Sequence, residues 1–239
     1  MTNYGAFAKF YDSAMGDRKN GEKFIEELIK KYNPQAKTIL ELGCGKGMFL
    51  EYFSDLGYSV VGIDTSEEML SIARQKVPNA HLSHQDISNF SLSGRYDVVL
   101  CIFDTMNHLL NYENWEHAFS RAYRHLNGGG IFIFDINTRQ KLEKLTQSNP
   151  IIRILNDGRV VISVIKEMEI YNWDIKVMKG GINGGEVVSS ENIKECSFPI
   201  IEIERSLKKM FKGVDVIDGN GDRASEVSDR IYFICAKSI

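Results

Sequence analysis

A glycine-rich turn between two short apolar segments constrains this chain more than any other feature. Residues 38–47, Thr-Ile-Leu-Glu-Leu-Gly-Cys-Gly-Lys-Gly, begin with an apolar run that is typical of a buried parallel strand. Gly43, Gly45 and Gly47 then allow a sharp turn and a close approach of the backbone to a ligand. The pattern predicts a helix over residues 48–56, with its N-terminal amides facing that approach.

A second predicted strand, residues 60–64, ends in an acidic residue. Asp64 lies about twenty residues after the turn, where a carboxylate can accept both hydroxyls of a ribose. Glu41 would repel a pyrophosphate but suits a cationic amino group. Met48 occupies the position of the third glycine in the dinucleotide fingerprint, since Gly47 comes one residue early. These residues favour S-adenosylmethionine over NAD; the alternative is a plain strand-to-helix turn without a ligand.

At these residues the chain resembles the class I S-adenosylmethionine-dependent methyltransferases, in particular bacterial enzymes that act on small molecules. The resemblance runs from about Tyr4 to Asn137 and resumes at the C-terminus. Its motifs are YGAFAKFYD at 4–12, ELGCGKG at 41–47, GID at 62–64, QDI at 85–87, YDVVLCIFD at 96–104 and LNGGGIFIF at 126–134. It implies an α/β fold: a Rossmann-like, doubly wound, mostly parallel seven-stranded sheet with an antiparallel closing hairpin.

The resemblance also implies which residues line the cofactor. Tyr11 would line the site from a segment that closes over the cofactor, and Arg18 would pair with the methionine carboxylate. Asp86 would accept from the adenine amino group, and the Ile87 amide would read a ring nitrogen. Asp86 as a loop cap and Met69 as a core residue are the alternatives. The other expected cofactor contacts are Glu41, Gly43, Cys44, Gly45, Gly47, Asp64, Thr65, Met69, Ile102 and Phe103.

The chemistry is expected beyond the carboxyl end of the central strand, residues 97–103, because open parallel sheets bind ligands there. His108 is the predicted base, since an unperturbed histidine titrates near neutrality. Asp104 would bind an amine substrate or cap the following turn. Tyr11 completes the predicted catalytic set, because an aromatic ring favours a cationic methyl group. The other histidines, expected at strand or helix surfaces, are His81, His84, His117 and His125.

From about residue 141 the pattern changes to β-like segments punctuated by Asn-Asp-Gly and Lys-Gly-Gly. We therefore predict an antiparallel β insertion of three or four strands, with Tyr171, Trp173 and Asp174 facing the site. An edge platform or dimer surface is the alternative. The predicted organisation is a cofactor-binding core with an N-terminal cap (1–148), the inserted β subdomain (149–198), and a helix and hairpin that complete the core sheet (199–239).

Two local signals set element boundaries. Thr65, followed by Glu68, predicts a capping box for a helix that ends near Lys76. The glycines 128–130 are expected to stop the helix predicted over residues 113–126, before a strand at 131–134.

Composition disfavours several classes of partner. The chain has 29 basic and 32 acidic residues, and this balance argues against nucleic acid, whose binding depends on cations at phosphates. There is no membrane-length apolar run and no signal pattern, so a cytoplasmic protein is expected. The 4 cysteines do not have the paired spacing of metal ligands. We therefore expect no disulfides and no metal site. The sequence leaves open whether the protein forms a homodimer.

The sequence therefore predicts an S-adenosylmethionine-dependent methyltransferase that acts on the nitrogen or oxygen of a small molecule. Two alternatives stay open. One is a non-catalytic module that binds S-adenosylmethionine. The other is a nicotinamide-dependent oxidoreductase, which Met48 and the lack of an evident Tyr-Lys pair disfavour.

Overall fold

Strands and helices alternate through the first half of the chain, as expected for a doubly wound fold. The computed structural model describes residues 19–180 and 185–239. The first elements are α1 (Lys19–Tyr32), β1 (Thr38–Leu42), α2 (Met48–Asp55), β2 (Ser59–Asp64), α3 (Glu67–Lys76), β3 (His81–His84), β4 (Tyr96–Cys101), a 3₁₀ helix (Thr105–His108), α4 (Tyr112–Arg124) and β5 (Leu126–Asn137). Tyr11 and Arg18 lie outside the described residues.

The second half adds a separate sheet and then returns to the first. Its elements are α5 (Arg139–Gln147), β6 (Ile151–Leu155), β7 (Gly158–Glu167), β8 (Ile170–Lys179), β9 (Glu186–Glu195), α6 (Ile200–Lys208), β10 (Gly213–Asp218) and β11 (Arg230–Ala236). None of the helices in the described part of the chain is long and apolar enough to span a membrane.

The main sheet has seven strands in the order β10-β11-β5-β4-β1-β2-β3. The five strands from β5 to β3 pair in parallel, while β11 is antiparallel to both β10 and β5. This confirms the predicted Rossmann-like fold with a closing hairpin. Because the parallel strands end at one edge, the carboxyl ends of β1, β2, β4 and β5 meet there.

The sheet is buried on both faces, which explains the continuous apolar runs of its central strands. On one face, Trp115 and Phe119 of α4 and Ile203 of α6 pack on the strands. On the other face, Ile29 of α1 and Phe53 of α2 pack on them. The buried residues of α4, which are Trp115, Ala118, Phe119 and Ala122, therefore belong to the core.

The second sheet is antiparallel, with the order β6-β7-β8-β9. It joins the core through α5, whose Leu142 packs with Val164 and Tyr171. The sequence predicts three or four strands here, and four are present. The helix α5 was not predicted.

Three local predictions were wrong. Ser66, not Thr65, caps α3, because its hydroxyl accepts from the Met69 amide at 3.3 Å. The glycines 128–130 lie within β5 rather than before it, at a register shift against β4. His125 is buried, since its Nε2 accepts from the Leu92 amide and its ring packs on Phe90. The other three predicted surface histidines are exposed.

Candidate functional site

The glycine turn has the left-handed backbone that the sequence predicts. Gly43, Gly45 and Gly47 have φ angles of 71°, 51° and 76°. A Cβ on Gly43 would lie 2.4 Å from Cγ2 of Thr105, so the 3₁₀ helix rests directly on the turn. A Cβ on Gly45 would have no described protein atom within 4 Å, so this glycine faces an open cradle.

Asp64 is held against the same turn. Its Oδ2 accepts from the Gly45 amide and its Oδ1 from the Ser66 amide, each at 2.8 Å. Burial raises the pKa of Asp64, while these amide bonds and the charge of His108 work to lower it. The carboxylate at the end of β2 is therefore oriented by the backbone toward the open side of the turn.

Glu41 is the residue that most clearly lacks its partner. It is buried at the end of β1, and its Oε2 forms no hydrogen bond with any residue in the described ranges 19–180 and 185–239. Burial, together with the negative charge of Asp64, raises the pKa of its carboxyl well above the usual value. An unpaired buried carboxylate is costly, so a cationic group beside it would be stabilising. The open cradle at Gly45 and this unpaired acid fit the sugar and the amino group of S-adenosylmethionine.

The other predicted cofactor residues lie along the same edge. Cys44 is buried, and its amide donates to the Ile63 carbonyl at 2.9 Å. Thr65 is exposed, whereas Met69, Ile87 and Ile102 are buried. Asp86 is exposed, and its Oδ1 accepts from the amide and hydroxyl of Ser88, as in the predicted loop cap. Phe103 packs edge-on against Phe49. Their contacts with cofactor stay predictions.

Asp104 lies at the carboxyl edge of the core sheet and is paired with Arg230, which is remote in the sequence. Arg230, on β11, contacts the carboxylates of both Asp104 and Asp135. The Asp104 amide also donates to Asp135 Oδ1 at 3.3 Å. The Asp104 side chain makes no cap bond to the 3₁₀ helix, so the capping alternative was wrong.

Asn107 ties the 3₁₀ helix to both sheets. Its Nδ2 donates to the carbonyls of Asn137 (3.0 Å) and Cys196 (2.7 Å), and its Oδ1 accepts from the Asn137 amide at 3.0 Å. Asn137 ends β5, and Cys196 follows β9. The segment that follows β9 and leaves the inserted sheet is thereby fixed to the carboxyl edge of the core sheet.

His108 lies beside this junction, next to a glutamate of the inserted sheet. Its Nδ1 is 3.2 Å from the Lys194 carbonyl oxygen. Side-chain atoms of His108, Asp104 and Glu195 lie within 4.8 Å of one another. Glu195 is buried, and its Oε2 accepts from Asn137 Nδ2 at 3.1 Å. Burial, and then the charge of Asp104, raises the pKa of Glu195 to about 8.

Such a trio resembles a cation site in spacing, but Arg230 already places a positive charge against Asp104. We therefore interpret these residues as a polar rim for an acceptor molecule. A second cation is close by, since Lys141 donates to Asn137 Oδ1 at 2.7 Å. Burial, and then the charge of Arg230, lowers the pKa of Lys141. The predicted absence of a metal stays a prediction.

The residues of this rim that the sequence-based site prediction missed come from distant parts of the chain: Asp135, Asn137, Lys141, Glu195 and Arg230. Only the acid and the amide at the end of β5 carried a signal, because their position after an apolar strand places them at the functional edge. Glu195 and Arg230 follow no recognisable motif. Their positions depend on how the inserted sheet and the last strand return to the core.

Comparison with known proteins agrees with this geometry. Residues 39–130 match the model of a methyltransferase domain. YqeM of Bacillus subtilis (strain 168), itself proposed to be a methyltransferase, is 28% identical over 98% of this chain and 97% of YqeM. A dTDP-3-amino-3,6-dideoxy-alpha-D-glucopyranose N,N-dimethyltransferase of Streptomyces fradiae is 31% identical, but over only 55% of this chain and 53% of that enzyme.

The fold comparison covers the whole chain. The crystal structure of an S-adenosylmethionine-dependent methyltransferase from Clostridium acetobutylicum ATCC 824 superposes with a TM-score of 0.85, at 25% identity and 99% coverage of both chains. Fold, cofactor turn and relatives together support a class I S-adenosylmethionine-dependent methyltransferase. It resembles the bacterial enzymes that act on small molecules.

Proposed function

We propose that this protein methylates the nitrogen of a small amine, with S-adenosylmethionine as methyl donor. The observation that carries the proposal is the charge of the acceptor rim. Three acids, Asp104, Asp135 and Glu195, lie near two cations, Arg230 and Lys141, and Arg230 contacts the carboxylates of the first two. The rim therefore keeps an acidic group for a positively charged acceptor.

The names of similar proteins support an amine acceptor. The Streptomyces fradiae relative and one from Streptomyces venezuelae, 30% identical over 46% of this chain, are both N,N-dimethyltransferases of dTDP-linked amino sugars. A ubiquinone biosynthesis O-methyltransferase of Hydrogenovibrio crunogenus is 31% identical over 48% of this chain. Oxygen methylation is therefore the outcome against which the amine proposal is tested.

The chain's own contribution is binding and alignment. Glu41 would hold the amino group of the donor and Asp64 its ribose, while Gly45 leaves room for close approach. When bound, S-adenosylmethionine supplies an activated methyl group and leaves as S-adenosylhomocysteine. Alignment of two bound reactants removes up to about 7–11 kcal/mol of barrier in the best intramolecular cases. The rim residues His108 and Asp104 would orient the acceptor nitrogen.

Cofactor binding is tested by calorimetry with S-adenosylhomocysteine. Asp64→Ala removes the carboxylate that the turn orients, so we expect binding about 10–100-fold weaker, as for loss of hydrogen bonds to a charged group. Asp55→Ala, on the exposed end of α2, is the control and should bind normally. Uptake of NADH without S-adenosylhomocysteine would instead favour an oxidoreductase.

Turnover is tested by S-adenosylhomocysteine release with dTDP-3-amino-3,6-dideoxyglucose, its 3-hydroxy counterpart, free amino sugars, polyamines and phenols. We expect transfer to amines and not to the matched hydroxyl compounds. Cofactor binding without turnover on any compound would favour a non-catalytic binding module. Transfer to hydroxyl compounds alone would contradict the amine proposal.

A further inference from the structure

Glu195 differs from the other two acids of the rim, Asp104 and Asp135, in the kind of group that its carboxylate contacts. Asp104 and Asp135 both contact the guanidinium of Arg230. Among the described residues, Glu195 accepts its hydrogen bond from the neutral amide of Asn137. Lys141 donates to Asn137 Oδ1 instead. Within the described part of the chain, the rim therefore has three carboxylates and two cations from lysine and arginine, and Glu195 is the acid that forms no ion pair with either of these cations.

Both chain neighbours of Glu195, Lys194 and Cys196, contact residues of the 3₁₀ helix, and these contacts fix the position of Glu195. On one side, the Lys194 carbonyl lies 3.2 Å from Nδ1 of His108. On the other, the Cys196 amide donates to the Asn107 carbonyl at 2.9 Å, and Asn107 Nδ2 returns a bond of 2.7 Å to the Cys196 carbonyl. The inserted sheet therefore places the Glu195 carboxylate beside the 3₁₀ helix, and this helix packs on the glycine turn.

The charged groups around Glu195 come from four elements. Asp104 raises its pKa, whereas Arg230 of β11 and Lys141 of α5 lower it. A ring nitrogen of His108 lies within 4.8 Å of the Glu195 carboxylate. Asp135 of β5 contacts Arg230. Burial has the largest effect, and the resulting pKa of Glu195 is about 8. A carboxyl that titrates near working pH exchanges protons with an amine more readily than an ordinary acid does.

We propose that Glu195 binds the protonated amine of the acceptor and removes its proton before methyl transfer. This inference rests on the proposed function and names the residue that makes the site specific for amines. In the step, one N–H bond of the ammonium breaks and an O–H bond forms on Glu195. The nitrogen keeps the electron pair of that bond and can then accept the methyl group that bound S-adenosylmethionine would supply, with S-adenosylhomocysteine as the leaving group. The proton on Glu195 is lost to solvent after turnover.

The test uses Glu195→Gln, which keeps the shape of the side chain and can still accept from Asn137. Its matched control is Glu191→Gln, half-buried four residues earlier on the same strand. With the best amine of the panel, we expect Glu195→Gln to lower kcat about 100-fold or more, as for loss of a general base. Glu191→Gln should stay within about twofold, and S-adenosylhomocysteine binding should be unchanged in both.

The pH profile separates proton removal from a structural role. In the unmodified protein, kcat/KM should rise as Glu195 ionises near pH 8. That limb should vanish in Glu195→Gln, persist in Glu191→Gln, and persist in Glu195→Asp with a lower rate. His108→Asn should also retain the limb, because the proposal assigns this limb to Glu195.

A carboxyl titration tests the same residue without an acceptor. In protein labelled with δ-¹³C glutamate, a carboxyl signal that titrates near pH 8 should be absent from Glu195→Gln but present in Glu191→Gln, while the signal of Glu41, whose pKa is also raised, should be unchanged in both. Loss of the kinetic limb in His108→Asn, or normal amine turnover by Glu195→Gln, would overturn the role of Glu195 and leave the proposed function intact. Failure of every amine as acceptor would overturn both proposals.

Discussion

Asn107 and Cys196 are 89 residues apart in sequence and exchange two hydrogen bonds. One joins the Cys196 amide to the Asn107 carbonyl, and the other joins Asn107 Nδ2 to the Cys196 carbonyl. Because Asn107 is also bonded to Asn137, one side chain connects the 3₁₀ helix, the end of β5 and the exit of the inserted sheet. The geometry of the acceptor rim depends on this junction.

Asn107→Ala should therefore be strongly destabilising. It leaves the amide of Asn137 and the carbonyl of Cys196 without their side-chain partner in a buried site, while the Asn137 carbonyl keeps its bond from the Ser197 hydroxyl. We expect the free energy of unfolding to fall by about 3 kcal/mol or more, since each unsatisfied buried group costs about 1–3 kcal/mol. Urea denaturation measures this. The exposed Asn192→Ala should change stability by less than about 0.5 kcal/mol, and equal effects would contradict the assigned role.

Gly43→Ala and Gly45→Ala should separate folding from cofactor binding. Both glycines have positive φ, but only a Cβ on Gly43 collides with protein, at 2.4 Å from Thr105. We expect Gly43→Ala to lose about 1–3 kcal/mol of stability through overpacking, in addition to backbone strain. Gly45→Ala should lose only the backbone contribution of about 1–2 kcal/mol, yet weaken S-adenosylhomocysteine binding at least tenfold.

Thr105→Ala supplies the control for that collision. It removes the Cγ2 atom that lies nearest to the added methyl group, so the double variant with Gly43→Ala should recover part of the lost stability. Thermal unfolding of the three proteins is the measurement. Stability that is no better in the double variant would show that the collision is not the cause.

Arg230→Met should destabilise the protein in a pH-dependent way. It leaves Asp104 and Asp135 as buried charges without their guanidinium partner, a change that typically costs about 3–5 kcal/mol. Burial already raises the pKa of Asp135, with Arg230 opposing it, so the variant's acids should protonate at higher pH still. A raised folded-state pKa favours folding at low pH. The variant's deficit, measured in urea, should therefore shrink from pH 7 to pH 5.

Arg230→Lys is the comparison for the charge itself. It keeps one positive charge but cannot contact both carboxylates as a planar fork. We expect an intermediate stability with a weaker pH dependence. A deficit in Arg230→Met that stays constant between pH 7 and pH 5 would contradict the pairing of Arg230 with both acids.

Asp97 should contribute stability with the opposite pH dependence. Burial tends to raise its pKa, but bonds from the Lys37 amide, the Asn127 side chain and Thr38 outweigh it and lower the pKa. A lowered pKa gives stability that is present above the unfolded value of about 3.9 and is lost as pH falls through the folded value. Asp97→Asn should lose about 1–2 kcal/mol at pH 7.

The measurement is urea unfolding of both proteins at pH 7 and pH 3. The difference between Asp97→Asn and the unmodified protein should be largest at pH 7 and diminish at pH 3, where the native carboxylate is partly protonated. The exposed Asp55→Asn should show no such trend. A gap that widens toward pH 3 would contradict the network at the start of β1.

Short-range patterns predicted the cofactor half of the molecule well. The turn glycines all adopt left-handed backbone, and Asp64 reaches back to the Gly45 amide. This succeeded because strand, turn and helix follow one another within a short segment, so local chemistry fixes their relation. The local errors have local causes. Thr65 and Ser66 are both able to cap a helix, and three consecutive glycines look like a helix stop although they lie in an irregular strand.

The acceptor half could be predicted only in outline. An inserted antiparallel sheet was predicted, and Asp104 and His108 were placed at the rim. The partners of these residues, Arg230 and Glu195, were not, because they come from strands more than 80 residues away in the chain.

The sequence by itself determined the parallel sheet, the left-handed glycine turn and the acid at the end of β2 that is bonded to this turn. These follow from the periodicity of apolar residues and from backbone angles that only glycine adopts easily. Only the tertiary structure decided which acids of the rim contact Arg230 and which one accepts from a neutral amide instead. Charge compensation depends on distances between side chains of remote elements, and those distances exist only after the chain has folded.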